Sequence, residues 1–325
     1  MQSAPLFRHR LASRSSLATI LVAGTVALGI SLVGTLAPAA AAQHAAGTDQ
    51  PQRVVADQSA PAHIAARAAE LANAKTGKQL WGRRQYTARP IASITKLMTA
   101  FVVVKANRPD RRIKITAADV RYAKDHNATS AGLRAGDVLT AKQLLYAMML
   151  PSGADAAMAL ADSFGPGAKA FVRKMNAAAK ELKLVKTHFT NFDGLLSTDV
   201  STPRNLLLLG EAAMAKSVIR DVVETRRYLL RAAAHHRRYL WLNTNLLLGK
   251  YPGAIGIKTG WTGAAGECLL FEATHNKQTL IGVVLHSAPT KTGATFTDAT
   301  KMLNWGFGVN VAVTVPRPPA GVPME

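Results

Sequence analysis

The order of two periodicities along this chain limits its fold more than any single residue does. Strand-like segments lie near the start and near the end, with helix-like segments between. Residues 79–82 are short and apolar and follow an Ala-Lys-Thr-Gly-Lys turn. From Ala92 to Ala106, Ile94, Leu97, Met98, Phe101, Val102 and Val104 leave little polar face, which predicts a buried helix. "TAKQLLYAMMLPSGADAAMALADSF" predicts two helices broken at Pro151-Ser152-Gly153. "GAKAFVRKMNAAAKELKL" predicts an amphipathic helix with Phe171, Met175 and Leu182 on one side. "STPRNLLLLGEAAMA" starts with a cap-like Ser201-Thr202 and Pro203 in its first turn.

After residue 250 the period changes. "AIGIKTGWT", "ECLLFEATH" and "KQTLIGVVLHSA" are rich in strand formers, and His-Asn-Lys joins the last two as a hairpin would. "TFTDATKMLNWGF" closes as a helix. The expectation is an α+β body whose antiparallel sheet is assembled from both ends of the chain. The stretch "AARAAELANA" favours helix on local propensity alone.

Residues 1–42 have the pattern of an export signal or N-terminal anchor. Arg8, Arg10 and Arg14 precede an apolar stretch long enough to span a bilayer, and "APAAAA" supplies small residues for cleavage. Residues 43–62 are polar and small and predict a linker. The Pro-rich tail, residues 313–325, is unsuited to helix or central strand. The formal charge is +21, and losing the three signal arginines leaves +18. Such a chain collects near polyanions. For an exported protein these are anionic wall polymers and the membrane surface, not nucleic acid. "RRYLLRAAAHHRRY" is the densest basic run and predicts a solvated helix face. The single cysteine, Cys268, excludes an internal disulfide framework and reads as a small buried hydrophobe. The nine histidines have no metal-ligand spacing, so neither a metal nor a cofactor is expected.

Three short motifs could carry chemistry. Ser93 and Lys96 are three apart and share a helix face. A serine hydroxyl is a poor nucleophile until a base takes its proton, and a lysine can be that base only when neutral. Burial makes it so. The same pair also reads as an N-terminal serine beside a snorkelling lysine. Ser152 sits at the helix break and could relay a proton, or could cap the next helix together with Asp155. Lys258-Thr259-Gly260 ends a strand-like run, where a strand edge can pair with an extended peptide. The triplet recurs at Lys75-Thr76-Gly77 and Lys291-Thr292-Gly293, both in turn-like contexts.

Taken in order, Ser-x-x-Lys, Ser-x-x and Lys-Thr-Gly resemble the penicillin-binding and β-lactamase superfamily. "RPIASITKLMTA", "MLPSGADAA", "FVRKMNAAAKELKL", "THFTNFDGL", "STPRNL" and "GIKTGWTGAAGECLL" are similar to the low-molecular-mass D-alanyl-D-alanine carboxypeptidases of serine peptidase family S11. The resemblance spans about residues 66–308. It implies a β-lactamase/transpeptidase-like fold with an all-helical subdomain, a catalytic domain over 63–312, and a strand rather than a helix at "AARAAELANA".

It also implies roles. Ser93 would be acylated, Lys96 would be its base, and Ser152 would pass a proton to the leaving D-Ala. Lys258 and Thr259 would hold the terminal carboxylate, with Gly260 giving close approach. The backbone N–H groups of Ser93 and Trp261 would form the oxyanion hole. The substrate would be a peptidoglycan stem peptide ending in D-Ala-D-Ala, with β-lactams as covalent inhibitors.

Two features depart from the pattern. Where the family has Ser-x-Asn, this chain has Ser152-Gly153-Ala154, and alanine can neither donate nor accept a side-chain hydrogen bond. Losing such a contact costs about 1–3 kcal/mol, which predicts a slower enzyme. A DD-transpeptidase, or a catalytically weak penicillin- or wall-binding protein, are the alternatives. Only 18 residues follow "NWGF", so no C-terminal anchor domain is expected. A class A β-lactamase would need Glu-x-x-Leu-Asn, and Glu181, Glu211 and Glu224 do not begin one.

Overall fold

A computed structural model of the chain describes residues 59–314. The signal segment, most of the linker and nearly all of the tail lie outside the described residues. The order of elements is β1 (Ala68–Asn73), β2 (Gln79–Arg83), β3 (Arg89–Pro90), α1 (Thr95–Lys105), β4 (Arg112–Lys114), α2 (Ala117–Asp125), β5 (Val138–Thr140), α3 (Ala141–Met149), α4 (Ala154–Phe164) and α5 (Ala168–Glu181). It continues with β6 (Val200–Ser201), α6 (Pro203–Met214), α7 (Ser217–Glu224), β7 (Arg227–Leu230), β8 (Tyr239–Leu242), β9 (Ala254–Thr262), β10 (Gly266–His275), β11 (Gln278–Leu285) and α8 (Ala294–Phe307).

One five-stranded antiparallel sheet, in the order β2-β1-β11-β10-β9, joins the two ends of the chain. Ala68 of β1 faces Leu285 of β11, and the same Leu285 faces Cys268 of β10. "AARAAELANA" therefore yields a strand. Helix propensity loses because β1 is a central strand, paired on both sides and buried on both faces. The β10–β11 turn is Asn276-Lys277, both with positive φ, as a two-residue hairpin requires.

The sheet has two apolar faces. Leu71, Leu269, Phe271 and Leu280 pack with Phe296, Met302 and Leu303 of α8. Ala68, Leu270, Ile281 and Val283 pack with Leu206 and Leu209 of α6 and the helical layer beyond. Cys268 is buried in that second layer. The 3-10 turn Ala92–Ile94 leads into α1, and Leu97, Met98 and Phe101 of α1 belong to the same core.

α3 begins with a capping box between Thr140 and Gln143. α6 is capped by Thr202, which accepts from Asn205 N, with Pro203 in the first turn. Ser201 lies in β6 instead. Phe171 and Met175 of α5 are buried, and Leu182 sits half-buried at its end.

The basic run "RRYLLRAAAHHRRY" is not a helix face. It forms the β7–β8 hairpin, with Tyr228 opposite Trp241 and Leu230 opposite Tyr239. Tertiary stacking overrides the helix propensity of Arg and Ala. Tyr146 of α3 stacks on Tyr228 at 3.9 Å, Tyr228 on Trp241 at 5.9 Å, and Trp241 on Tyr239 at 5.3 Å. No helix among the described residues is long and apolar enough to cross a membrane.

Candidate active site

The nucleophile candidate stands where the chain enters α1. Ala92 holds a positive φ of 48°, which turns Ser93 out of the layer packed behind it. Ser93 is half-buried, and Lys96, one turn on, is 1% exposed. Lys96 Nζ lies 3.0 Å from Ser93 Oγ and donates to the Asp193 backbone oxygen at 2.8 Å. No carboxylate pairs with this amine among the described residues; the two ion pairs there are Lys105–Glu181 and Arg204–Glu70. Burial pushes the Lys96 pKa down, against the more distant charges of Asp193, Asp155 and Asp199. A lysine in that position can accept the serine proton.

The backing of this pair comes from the loop 190–195. Thr99 Oγ1 donates to the Phe192 carbonyl at 2.6 Å, and the Asn191 side chain accepts from Gly194 N at 2.8 Å. Gly194, at φ +87°, lies so close behind Ala92 that a β-carbon would stand 1.9 Å from its carbonyl oxygen. Only glycine fits there.

β9 is the edge strand of the sheet, so half of its backbone groups face away from β10. It runs directly beside the Ser93 turn. A β-carbon on Gly260 would lie 3.1 Å from Ser93 N and 2.9 Å from the Ile91 carbonyl. This close approach is what glycine permits. Lys258 is 1% exposed, donates to the Thr259 carbonyl at 3.0 Å, and lies 3.4 Å from Thr259 Oγ1. Burial and the charge of Lys96 hold its pKa well below the usual lysine value. Two buried amines thus converge without a paired carboxylate among the described residues, a place where an anionic substrate terminus would favour the charged form of the amine it meets. Trp261 turns its ring outward, with Nε1 donating to the Pro289 carbonyl at 3.3 Å and Lys291 over its face at 4.7 Å.

Ser152 is buried, with φ +70°, in the turn between α3 and α4. It does not cap α4: the cap position is Gly153, with no side-chain bond. Asp155 serves another purpose. Its carboxylate accepts from Ser130 Oγ, Ala131 N, Leu133 N and Ala156 N, fixing the 130–133 loop beside the turn. No hydrogen bond joins Ser152 Oγ to either lysine among the described residues. The link is Thr244. Its N–H donates to the Leu150 carbonyl at 3.1 Å, and its hydroxyl lies 2.6 Å from Thr259 Oγ1. Ala154 is fully buried, and its N–H donates to the Thr129 carbonyl at 2.8 Å.

The model of the D-alanyl-D-alanine carboxypeptidase family, peptidase S11, matches residues 54–289. The chain belongs to that family. It is a serine D-Ala-D-Ala carboxypeptidase by class. The D-alanyl-D-alanine carboxypeptidase of Streptomyces sp. strain K15 is 41% identical over 259 residues, 76% of this chain and 88% of the relative. The carboxypeptidase DacB2 of Mycobacterium tuberculosis is 32% identical, over 75% of this chain and 83% of the relative. The crystal structure of the Streptomyces K15 DD-transpeptidase superposes with a TM-score of 0.73 at 42% identity, covering 77% of this chain and all of that one. The M. tuberculosis H37Rv carboxypeptidase structure gives 0.69 at 30% identity, covering 78% of this chain and 95% of that one.

Of the residues predicted for this carboxypeptidase, Ser93, Lys96, Lys258, Thr259 and Gly260 converge at the end of α1 and the edge of β9. Lys75-Thr76-Gly77 is in the turn after β1, and Lys291-Thr292-Gly293 precedes α8. Three contributors went unpredicted: the Asp193 carbonyl, Gly194 and Thr244. An Asn-x-Asp-Gly turn signal in "TNFDGL" points to Gly194. Nothing in "LNTNLL" singles out Thr244.

Proposed function

We propose that Ser93 is the acylated nucleophile of a D-Ala-D-Ala carboxypeptidase that trims peptidoglycan stem peptides. The observation that carries this is the buried Lys96 amine, 3.0 Å from Ser93 Oγ and without a paired carboxylate. Lys96 takes the hydroxyl proton as Ser93 attacks the carbonyl of the penultimate D-Ala. The Ser93 and Trp261 backbone N–H groups stabilise the oxyanion. Ser152 passes a proton to the departing D-Ala nitrogen. Lys258 and Thr259 bind the terminal carboxylate, and Gly260 lets the strand edge come close. Water then attacks the acyl-enzyme, releases the shortened peptide and restores the hydroxyl. β-Lactams acylate the same serine. Residues 63–312 form the catalytic domain. Residues 1–42 act in export, and the enzyme works in the cell envelope, near anionic wall polymers or the membrane surface.

A second reading is transfer of the acyl group to an amine acceptor. It is favoured by the similarity to a solved protein described as a DD-transpeptidase. A third is a weak penicillin-binding protein, because Ala154 supplies no side-chain hydrogen bond. One experiment separates these readings. The exported chain and Ser93→Ala are labelled with a fluorescent penicillin and mapped by mass spectrometry. D-Ala release from a peptide ending in D-Ala-D-Ala is then followed with and without an amine acceptor. A Ser93 adduct with D-Ala release in water supports the carboxypeptidase. Release only with the acceptor supports transfer. An adduct without release supports the binding protein, and a folded chain without an adduct removes Ser93 from the role.

A further inference from the structure

A second cavity opens at the base of the β7–β8 hairpin, with a volume of about 480 Å³. Arg226, Arg227, Lys250, Asn243, Asn245 and Leu242 line it, and no carboxylate does among the described residues. Asn245 is 2% exposed, and its Nδ2 has no hydrogen-bond partner among the described residues, although its Oδ1 accepts from Leu247 N. A buried N–H donor without an acceptor is costly in a folded protein. The donor lies buried just behind the wall of a cavity that three cations surround. Lys250 spends one donor on the Thr314 carbonyl and has others left.

The surroundings continue the pattern. From Thr225 to Gly266 the sequence contains no Asp or Glu. Leu242, 58% exposed, leads from the cavity mouth onto the outer hairpin face, where Leu240 and Leu229 are also exposed between Arg227, Arg231 and Arg238. Cations around an orphan donor suit an oxyanion. Exposed leucines beside them suit apolar chains attached to it.

We propose that this cavity binds the phosphate of an anionic phospholipid headgroup, with Leu242, Leu240 and Leu229 against the chains. Arg226, Arg227 and Lys250 hold the phosphate oxygens, and Asn245 Nδ2 reaches one when its side chain turns toward the cavity. Asn243 and Asn245 flank Thr244, which touches Thr259, so a bound headgroup places the edge of β9 at the bilayer. The proposal rests on the envelope location and not on the reaction.

A protein this basic adheres to any anionic surface, so the test separates a site from bulk charge. Calorimetric titration with short-chain phosphatidylglycerol, below its micelle concentration, compares the parent with Arg227→Ala/Lys250→Ala. A control, Lys124→Ala/Lys180→Ala, removes two exposed cations from α2 and α5 and so has the same net charge. The expected result is saturable one-to-one binding, weakened about tenfold or more in the cavity variant and unchanged in the control. Leu240→Ser/Leu242→Ser is expected to keep headgroup binding while reducing flotation with mixed phosphatidylcholine–phosphatidylglycerol vesicles. Fluorescent-penicillin labelling of each variant runs in parallel and is expected to match the parent, so a failed site and a failed active-site reading are told apart. Equal loss in both double variants, absence of saturation, or equal binding of inorganic phosphate and the lipid would each overturn the proposal.

Discussion

Lys96 gains its chemistry from where it is placed. In water its amine would be charged at any physiological pH, and it would be no base. Burial favours the neutral form, against the charges of Asp193, Asp155 and Asp199. The acylation rate is therefore expected to rise with pH as Lys96 loses its proton, with the rising limb below the ordinary lysine value of 10.5. Stopped-flow labelling with a fluorescent penicillin across pH 6–10 checks this. Lys96→Arg, which stays charged, should lower the rate on the order of a thousandfold at every pH. Gly260 is a second decisive position. In Gly260→Ala the new methyl presses on Ile91 O and Ser93 N, backbone atoms that cannot swing aside. Acylation should slow by about tenfold to a hundredfold, because small misplacements near reacting atoms are expensive. A thermal melt beside the kinetics distinguishes a displaced serine from a damaged fold. If acylation falls only in step with folded protein, the close approach has no catalytic meaning.

At the scale of elements, Asp155 controls the loop beside the Ser152 turn. Three of its hydrogen bonds hold residues 130–133, and Trp241 Nε1 secures the same loop by donating to the Ala131 carbonyl at 2.8 Å. Asp155→Ala leaves buried donors unpaired and should cost about 3 kcal/mol in urea denaturation. Loss of less than about 1 kcal/mol would mean that water replaces the carboxylate.

Elements of this kind also separate what the sequence reveals from what it hides. Ser93, Lys96 and Lys258 are readable as candidates because the proposed chemistry needs those side chains. Asp193 is not, because it contributes a carbonyl that every residue owns. The late strands are readable from composition. The β7–β8 hairpin is not, since its run of Arg, Ala and His prefers a helix locally and is overruled by a stack of rings drawn from Tyr146, Tyr228, Trp241 and Tyr239. β1 was likewise readable only through family resemblance, because its strand character comes from β2 and β11 on either side.

Across the whole molecule, buried acids link stability to pH. Burial raises Glu70 to about 7, partly opposed by Arg204, and raises Glu272 to about 7, partly opposed by Arg220. Both are carboxyls whose folded pKa exceeds the unfolded value. Their stabilising contribution is complete below about 4.5 and disappears as pH rises through 7. Melting temperature should therefore fall between pH 5 and 8, and Glu272→Gln should flatten that slope. A slope unchanged in the variant would assign the pH dependence elsewhere.

The sheet that joins β1 to β11 also sets a timetable. During synthesis β1 emerges early, and its partner β11 is among the last elements to follow. Ser93 and Lys96 likewise precede β9, the strand that completes their cleft, by most of the helical layer. Non-local pairings of this span close slowly, because chain entropy is lost before the contacts reward it. A growing chain thus carries Ser93 before the strand that lies beside it. The active centre is assembled only when the far end of the polypeptide arrives, so an incomplete copy is an inert one.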